Sequence, residues 1–145
     1  MGSVPIFPTA QDAGNAFYEA LERNDLELMM AVWAEDEEIV CVHPAGARIA
    51  GQEQVRESWR RIFASGQRLR VKIAQQVTLS GMMVEVHSVH EVIAVVGEEA
   101  ARPPMVATNV YLRTAAGWRM VVHHASPAPQ AAAEEAPAEP PKLLH

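Results

Sequence analysis

Apolar residues recur every three to four positions in three segments of the first half of the chain, and this spacing predicts three amphipathic helices. The first runs from about Thr9, whose hydroxyl suits the N-cap position, to Arg23. The second is short and carries on one face Leu26, Met29, Met30 and Trp33. The third runs from Gln52 to Ser65, with its Glu and Arg residues on the outer side.

Apolar and polar residues alternate in the second half of the chain, which is the pattern of strands with one buried face. We predict long strands on both sides of Gly81, two more over Met105–Arg113 and Trp118–Ala125, and a short earlier strand over Ile39–His43. The alternation is interrupted between Ser88 and His90, which predicts a β-bulge there. This order predicts an α+β, cone-shaped fold, with three N-terminal helices packed on a strongly curved, mostly antiparallel sheet.

The chain of 145 residues is short enough to form one domain. We predict a flexible arm over residues 1–8, the domain over residues 9–126 and a disordered tail over residues 127–145. The tail consists largely of Pro, Ala and Glu. Such a segment cannot bury enough apolar surface to offset the entropy lost on ordering.

Composition excludes several classes of function. The formal net charge of -6 argues against a nucleic-acid partner. Residues 1–10 lack the features of a secretory signal, and no apolar run is long enough to span a bilayer. We therefore expect a cytoplasmic protein with no membrane partner. The single cysteine, Cys41, lies in an apolar run and is expected to be a buried core thiol.

Two segments carry a resemblance to known families. The run AFYEALERNDLELMMAVWAEDEEIVCVHPAGARIAGQEQVRESW resembles the opening of SnoaL-like members of the nuclear transport factor 2-like superfamily. The run NVYLRTAAGWRMVVHHAS resembles their last hairpin, which is also similar to the end of the calcium/calmodulin-kinase association domains. The resemblance covers about Ala10 to Ser126 and implies the cone-shaped fold and a homodimer. The fold hosts isomerases, cyclases, dehydratases, hydrolases and non-catalytic proteins, so the resemblance does not imply one activity.

The resemblance to the ketosteroid isomerases implies positions for a site. His43, before Pro44, stands where those enzymes have a general-base Asp, and Asn109 stands where they have an acid that stabilises an oxyanion. Their oxyanion tyrosine matches Phe17, with Tyr18 next to it. These departures argue against steroid isomerisation. The arginines of the kinase association domains are also missing, since Asn109 and Ala125 stand near those positions.

The residues themselves support part of this assignment. A histidine can move a proton near neutral pH, so His43 is the leading catalytic candidate, although it could instead bond only to the turn backbone. The Asn109 amide can donate to developing negative charge, although Asn109 could instead lie on the solvated side of the sheet. Tyr111 shares its face of the strand. His123 and His124 point to opposite faces. We expect His123 in the pocket and His124 with Met120 on the other face.

Large apolar side chains are expected in the core or the cavity wall, namely Trp33, Trp59, Met29, Met30, Met82 and Met83. Glu85, His87 and Glu91 are expected to face solvent or a dimer partner. No metal ion and no cofactor are expected, because the histidines and carboxylates do not converge in the sequence pattern.

Two hypotheses follow. In the first, the protein binds a small apolar molecule and carries out isomerase, cyclase or dehydratase chemistry, with His43 moving the proton and Asn109 stabilising charge. Phe17, Trp33, Trp59, Tyr111 and His123 then line the pocket. In the second, the protein is a non-catalytic ligand-binding or dimerisation module, and its sheet forms the homodimer.

Overall fold

The three predicted helices are present in the structure, a computed structural model that describes residues 5–35 and 37–129. Helix α1 spans Ala10–Arg23, α2 spans Leu26–Val32 and α3 spans Gln52–Ala64. The Thr9 hydroxyl accepts a hydrogen bond from the Asp12 backbone N–H at 3.0 Å, so Thr9 caps α1 as its sequence position predicts.

Six strands form one sheet. Their ranges are β1 Val40–Val42, β2 Arg48–Ala50, β3 Leu69–Ser80, β4 Val84–Val95, β5 Met105–Thr114 and β6 Gly117–Pro127. The strand order is β2-β1-β6-β5-β4-β3, and every neighbouring pair is antiparallel except the parallel pair of β1 and β6. The sheet is not closed, and the predicted α+β class is confirmed. Strand β2 was not predicted, because three residues are too few to establish an alternation.

The predicted bulge lies on the wrong strand. The register shifts between Ala74 and Val77 on β3, opposite Ser88 and His90 of β4, so β3 carries the extra residue. Gln75, inside the bulge, has a φ of 51°. Strand β4 keeps its alternation without interruption. The sequence obscured this because polar side chains occupy positions on the buried face of β4.

A second register shift changes which side chains of β6 point to the buried face before Val122. Val110 of β5 pairs with Val122, whereas the next residue, Tyr111, pairs with Met120. Val121 is therefore the extra residue, and Met120 joins His123 on the buried face. The expectation that Met120 shares a face with His124 is wrong, because it assumed an unbroken strand.

The helices pack on one face of the sheet and cover a core that includes Phe17, Met29, Trp33, Trp59 and Tyr111. Gly14 of α1 lets the helix approach β5 closely: a Cβ at this position would lie 2.8 Å from the Tyr111 hydroxyl oxygen. Met82 and Met83 do not belong to the core. They are 82% and 57% exposed, because they lie in the turn between β3 and β4.

The ends of the described chain pair with the domain. The Phe7 carbonyl accepts a hydrogen bond from the Trp118 N–H at 2.9 Å, and the Ala128 N–H donates to the Pro104 carbonyl at 2.9 Å. The predicted boundaries at residues 8 and 126 remain predictions, and residues 130–145 of the predicted tail lie outside the described part. No helix of the described chain is long and apolar enough to cross a membrane.

Candidate functional site

Polar side chains line up across the buried face of the sheet, called the inner face here. Strand register places Cys41, His123, Asn109 and His87 in one row across β1, β6, β5 and β4. All four are at most 3% exposed.

The next row of the inner face has small side chains. Val89, Ala107 and Ala125 are in register, and all three are buried. His43 follows Cys41 by two residues and extends this row on the β1 side. Beyond it, Glu91 of β4 pairs with Ile73 and Met105. The two alanines therefore form a floor between His43 and Glu91.

Four side chains form a continuous hydrogen-bonded series, called the interior chain here. The Tyr18 hydroxyl of α1 lies 2.6 Å from Oε2 of Glu91, and Nδ2 of Asn109 lies 3.0 Å from the Tyr18 oxygen. Oδ1 of Asn109 lies 2.6 Å from Nδ1 of His123. The interior chain thus joins α1, β4, β5 and β6.

The donors and acceptors of the interior chain run in one direction. Tyr18 has one hydroxyl hydrogen and donates it to Glu91, so its oxygen accepts from the Asn109 amide. Oδ1 of Asn109 is then an acceptor, which requires Nδ1 of His123 to carry a hydrogen. Nε2 of His123 is left with a lone pair in the neutral ring.

Burial shifts the pKa values at the two ends in opposite directions. It lowers the pKa of His123 to about 3, helped by the nearby His43 and His124. It raises the pKa of Glu91, against the lowering effect of the hydrogen bond from Tyr18. Burial and the Glu91 charge together raise the pKa of Tyr18. His123 and Tyr18 are therefore neutral at physiological pH.

His43 is held by helix α3. Its Nε2 lies 3.1 Å from the Ser58 hydroxyl, which donates its hydrogen to the Val55 carbonyl at 2.8 Å. Nε2 of His43 is therefore the donor to Ser58, and Nδ1 keeps its lone pair. Burial lowers the pKa of His43, so the ring is neutral and can act as a base.

The predicted site residues fall into two groups. The rings of Phe17, Trp59 and His123 pack together, with Phe17 4.7 Å from His123 and 5.5 Å from Trp59 between centroids. Trp59 also lies against His43, with ring centroids 4.6 Å apart. His43 and Asn109 are not joined by a hydrogen bond, since His43 bonds to Ser58 and Asn109 to Tyr18 and His123.

Trp33 and Tyr111 lie at the other end of the inner face. Tyr111 pairs with Met120, which also forms a bridge with Trp33, on the side of the Asn109 row away from the alanine floor. The Tyr111 hydroxyl and the Trp33 N–H are buried and have no hydrogen-bond partner among the described residues. The Tyr111 ring packs against His87 at 4.9 Å. Trp33 and Tyr111 therefore pack on the side of the polar row that faces away from the alanine floor.

Three polar residues at the inner face, one of them from helix α1, were not predicted from the sequence or were predicted on the wrong side. His87 and Glu91 were expected to face solvent or a partner, and this is wrong: they are 2% and 3% exposed. Because the bulge is on β3, residues 87, 89 and 91 of β4 all point inward. Tyr18 was named only as the neighbour of Phe17. Strict alternation along β4 was the signal that could have found His87 and Glu91.

Open concavities on the described surface lie apart from the interior chain. One, of about 600 Å³, lies beside the end of β5 and is lined by residues that include Glu35, Arg113 and Arg119. Another, about 370 Å³, lies over α3 and includes Ser58, the partner of His43. The inner face itself is packed, so a ligand there has to displace or rearrange side chains.

Comparison with known proteins confirms the resemblance found in the sequence. The SnoaL-like domain family matches residues 11–130. No curated protein matches this chain.

Among solved structures, a protein from Thiobacillus denitrificans ATCC 25259, provisionally described as a calcium/calmodulin-dependent protein kinase type II association domain, is 42% identical. Its TM-score is 0.77, and the match covers 86% of this chain and 99% of that one. A protein from Streptomyces avermitilis, provisionally described as a dehydratase of the NTF2-like family, is 30% identical, with a TM-score of 0.74 and coverage of 81% and 91%. A protein of unknown function from Nostoc punctiforme has a cystatin-like fold and is 14% identical to this chain. Its TM-score is 0.70 over 86% of this chain and 97% of that one, so the similarity is one of fold alone.

Replacing His123 by Asn should reduce the acid sensitivity of the fold. The pKa of His123 is about 3 in the folded protein against an ordinary 6.5, so between these values the unfolded chain binds a proton that the folded protein does not. Wild type should therefore lose about 2 kcal/mol more free energy of unfolding than the variant between about pH 7.5 and pH 5. Denaturant unfolding at both pH values measures the difference. Equal losses in the two proteins would show that His123 is already protonated or solvated.

Proposed function

Because the chain belongs to the SnoaL-like domain family, we propose that it binds a small organic molecule on the inner face of its sheet. The proposed site lies over the alanine floor, with His43 on the β1 side and Glu91 on the β4 side. The observation that carries the proposal is the interior chain. It orders the donors and acceptors of four polar side chains, three of them buried, in one direction inside a core that is mostly apolar.

Energetics favour a use for these polar groups beyond folding. Burying a carboxylate and its polar neighbours costs several kcal/mol of solvation, and apolar replacements of similar volume are often neutral or stabilising. A polar series kept in a small core is therefore expected to have a role that an apolar core cannot fill. Orienting the polar group of a bound molecule is such a role, and convergent polar groups with shifted pKa values are typical of binding sites.

The floor defines the size and character of the ligand. His43 and Glu91 are three strand spacings apart, roughly 14 Å across the backbone. Ala107 and Ala125 offer only methyl groups, and the Tyr18 ring packs over them. An apolar molecule of one or two rings would lie on the floor beside Tyr18 once the covering side chains move aside, with the polar groups at either end of the floor.

Replacing Ala125 by Val should weaken binding, because the larger side chain takes up the room that a ligand gains over the floor when the covering side chains move aside. The matched control is Ser126→Val, which adds an apolar group to the next residue of β6 on the outer face, where Ser126 is exposed. Ligand-observed NMR with a library of small aromatic and alicyclic compounds provides hits on wild type. We expect the hits to bind at least about tenfold more weakly to Ala125→Val and normally to Ser126→Val. Equal binding to both variants would place the ligand elsewhere.

Acid-base catalysis is a second step of the proposal, supported by the state of His43. Its ring is neutral and keeps an unprotonated Nδ1, which is what a general base requires. The relative from Streptomyces avermitilis is provisionally described as a dehydratase, and dehydration, isomerisation and cyclisation all need such a base. Charge developing on a ligand oxygen would be met by the second amide hydrogen of Asn109, because the first is donated to the Tyr18 oxygen and the Tyr18 hydrogen is donated to Glu91.

Replacing His43 by Gln should abolish turnover of a bound compound while leaving its binding in place. We expect the rate to fall roughly 10²- to 10⁴-fold. NMR spectra of the compound recorded over time measure this rate. Because burial lowers the pKa of His43 from 6.5, the rate of wild type should stay high to lower pH than for an ordinary histidine. The matched control is His124→Gln, which makes the same substitution at an exposed histidine on the outer face of the sheet. Unchanged turnover in His43→Gln would remove His43 from the chemistry.

A dimerisation role is the second candidate function, supported by the outer face of the sheet. One outward row crosses five strands and is entirely apolar: Leu79, Val86, Val110, Val122 and Val40. Next to it, Val77 is 58% exposed and Val84 and Val92 are each 42% exposed. An exposed apolar stripe of this kind is typical of an interface. We propose a second copy of the chain as the occupant, in line with the relative provisionally described as an association domain.

Replacing Val110 by Lys should convert a dimer into a monomer, because two-fold symmetry brings buried charges onto one apolar surface. Ile62→Lys on α3 is the control, since Ile62 is 36% exposed and lies away from the sheet. Analytical ultracentrifugation of all three proteins measures the mass. A monomeric wild type at about 100 µM, well above the Kd of ordinary dimers, would contradict the proposal.

A further inference from the structure

Glu91 is a buried carboxylate with little to balance its charge. It is 3% exposed, and its hydrogen bond from Tyr18 is the one found among the described residues. Its in-register neighbours, Ile73 of β3 and Met105 of β5, are apolar. None of the ion pairs in residues 5–35 and 37–129 includes Glu91.

Other carboxylates of the described chain differ from Glu91 in this respect. Glu85 of the same strand lies 2.7 Å from Nε2 of His87, and Glu57 on α3 pairs with Arg60 and Arg61. These acids have a basic partner, whereas Glu91 has only a neutral phenol. A buried carboxylate offers about four acceptor positions on its two oxygens, and one hydrogen bond leaves most of them unused.

A buried anion is stabilised by a proton or by a cation. The aromatic side chains that extend from Glu91, beginning with Tyr18, favour a cation on an organic molecule. Tyr18 carries the hydroxyl that bonds Glu91, its ring lies 4.9 Å from Phe17, and Phe17 lies 5.5 Å from Trp59. Aromatic faces attract ammonium groups through their quadrupoles and also accept an apolar body. The carboxylate and the aromatic rings therefore suit one molecule with both parts.

This inference rests on the proposed inner-face site and names the class of its ligand. We propose that the ligand is a small organic amine, bound as its ammonium form, with Glu91 as the counter-ion and the apolar part over Ala107 and Ala125. The ammonium hydrogens fill the unused acceptor positions of the carboxylate. The overall negative charge of the chain favours the approach of a cation.

Three compounds with the same phenyl ring and different charge distinguish the contribution of the charge from that of the apolar part: benzylammonium, benzyl alcohol and benzoate. Their Kd values are measured by two-dimensional NMR titration of the full chain, following the amides of Asn109 and His123. We expect benzylammonium to bind most tightly and benzoate most weakly. Glu91→Gln should weaken benzylammonium at least about tenfold, the loss of one charge-assisted hydrogen bond, and leave benzyl alcohol little changed.

Glu85→Gln is the matched control, because it removes the same charge from the same strand and should leave all three Kd values unchanged. Equal benzylammonium affinity in wild type and Glu91→Gln overturns the proposal, as does tighter binding of benzoate. If Glu91→Gln does not fold, the order of the three Kd values for the wild-type protein tests the proposal by itself. If only benzyl alcohol or benzoate shifts the two amides, the amine proposal fails and the inner-face site stands. If none of the three does so at saturating concentration, both fail.

Discussion

The inner face depends on the hydrogen bond between the Tyr18 hydroxyl and the Glu91 carboxylate, which joins α1 to β4 at 2.6 Å. Once Tyr18 donates to Glu91, its oxygen can only accept a hydrogen bond. This fixes the orientation of the Asn109 amide, with its nitrogen toward Tyr18, and then the tautomer of His123, with its hydrogen on Nδ1. Without Glu91 as the terminal acceptor, Tyr18 could donate to Asn109 and the whole series could reverse. One buried carboxylate therefore decides which atoms of the inner face offer hydrogens and which offer lone pairs.

Burial acts on the two ends of this series in opposite senses. It disfavours the charged form of either group, so it lowers the pKa of His123 and raises that of Glu91. A neutral base and a carboxylate with raised proton affinity thus share one small core. Sites that perform acid-base chemistry or bind charged molecules commonly show this separation. His43 adds a second neutral imidazole, held by Ser58 of α3 at the other end of the alanine floor.

The two faces of the sheet have different chemistry because successive side chains of a strand point in opposite directions. On β5, Asn109 lies on the inner face within the polar row, whereas its neighbours Thr108 and Val110 lie on the outer face. The same sheet therefore presents a polar row to a ligand on its inner face and an apolar row to a second copy on its outer face. The two proposed functions use different faces and do not compete for the same residues.

Local patterns determined much of this protein. The helices and the position of His43 before a turn follow from spacing and turn chemistry that span a few residues. The family resemblance followed from two continuous segments. These features depend on interactions between near neighbours, which a sequence displays directly.

Only the tertiary structure decided which polar groups meet. Tyr18 and Glu91 are 73 residues apart, and no local pattern relates them. The bulge expected on β4 lies on β3, and an extra residue at Val121 moves Met120 to the inner face, because pairing between strands decides which one carries the additional residue. A one-residue change of register sends a side chain to the opposite face, so only the paired sheet showed that the alternation of β4 continues without interruption through His87 and Glu91.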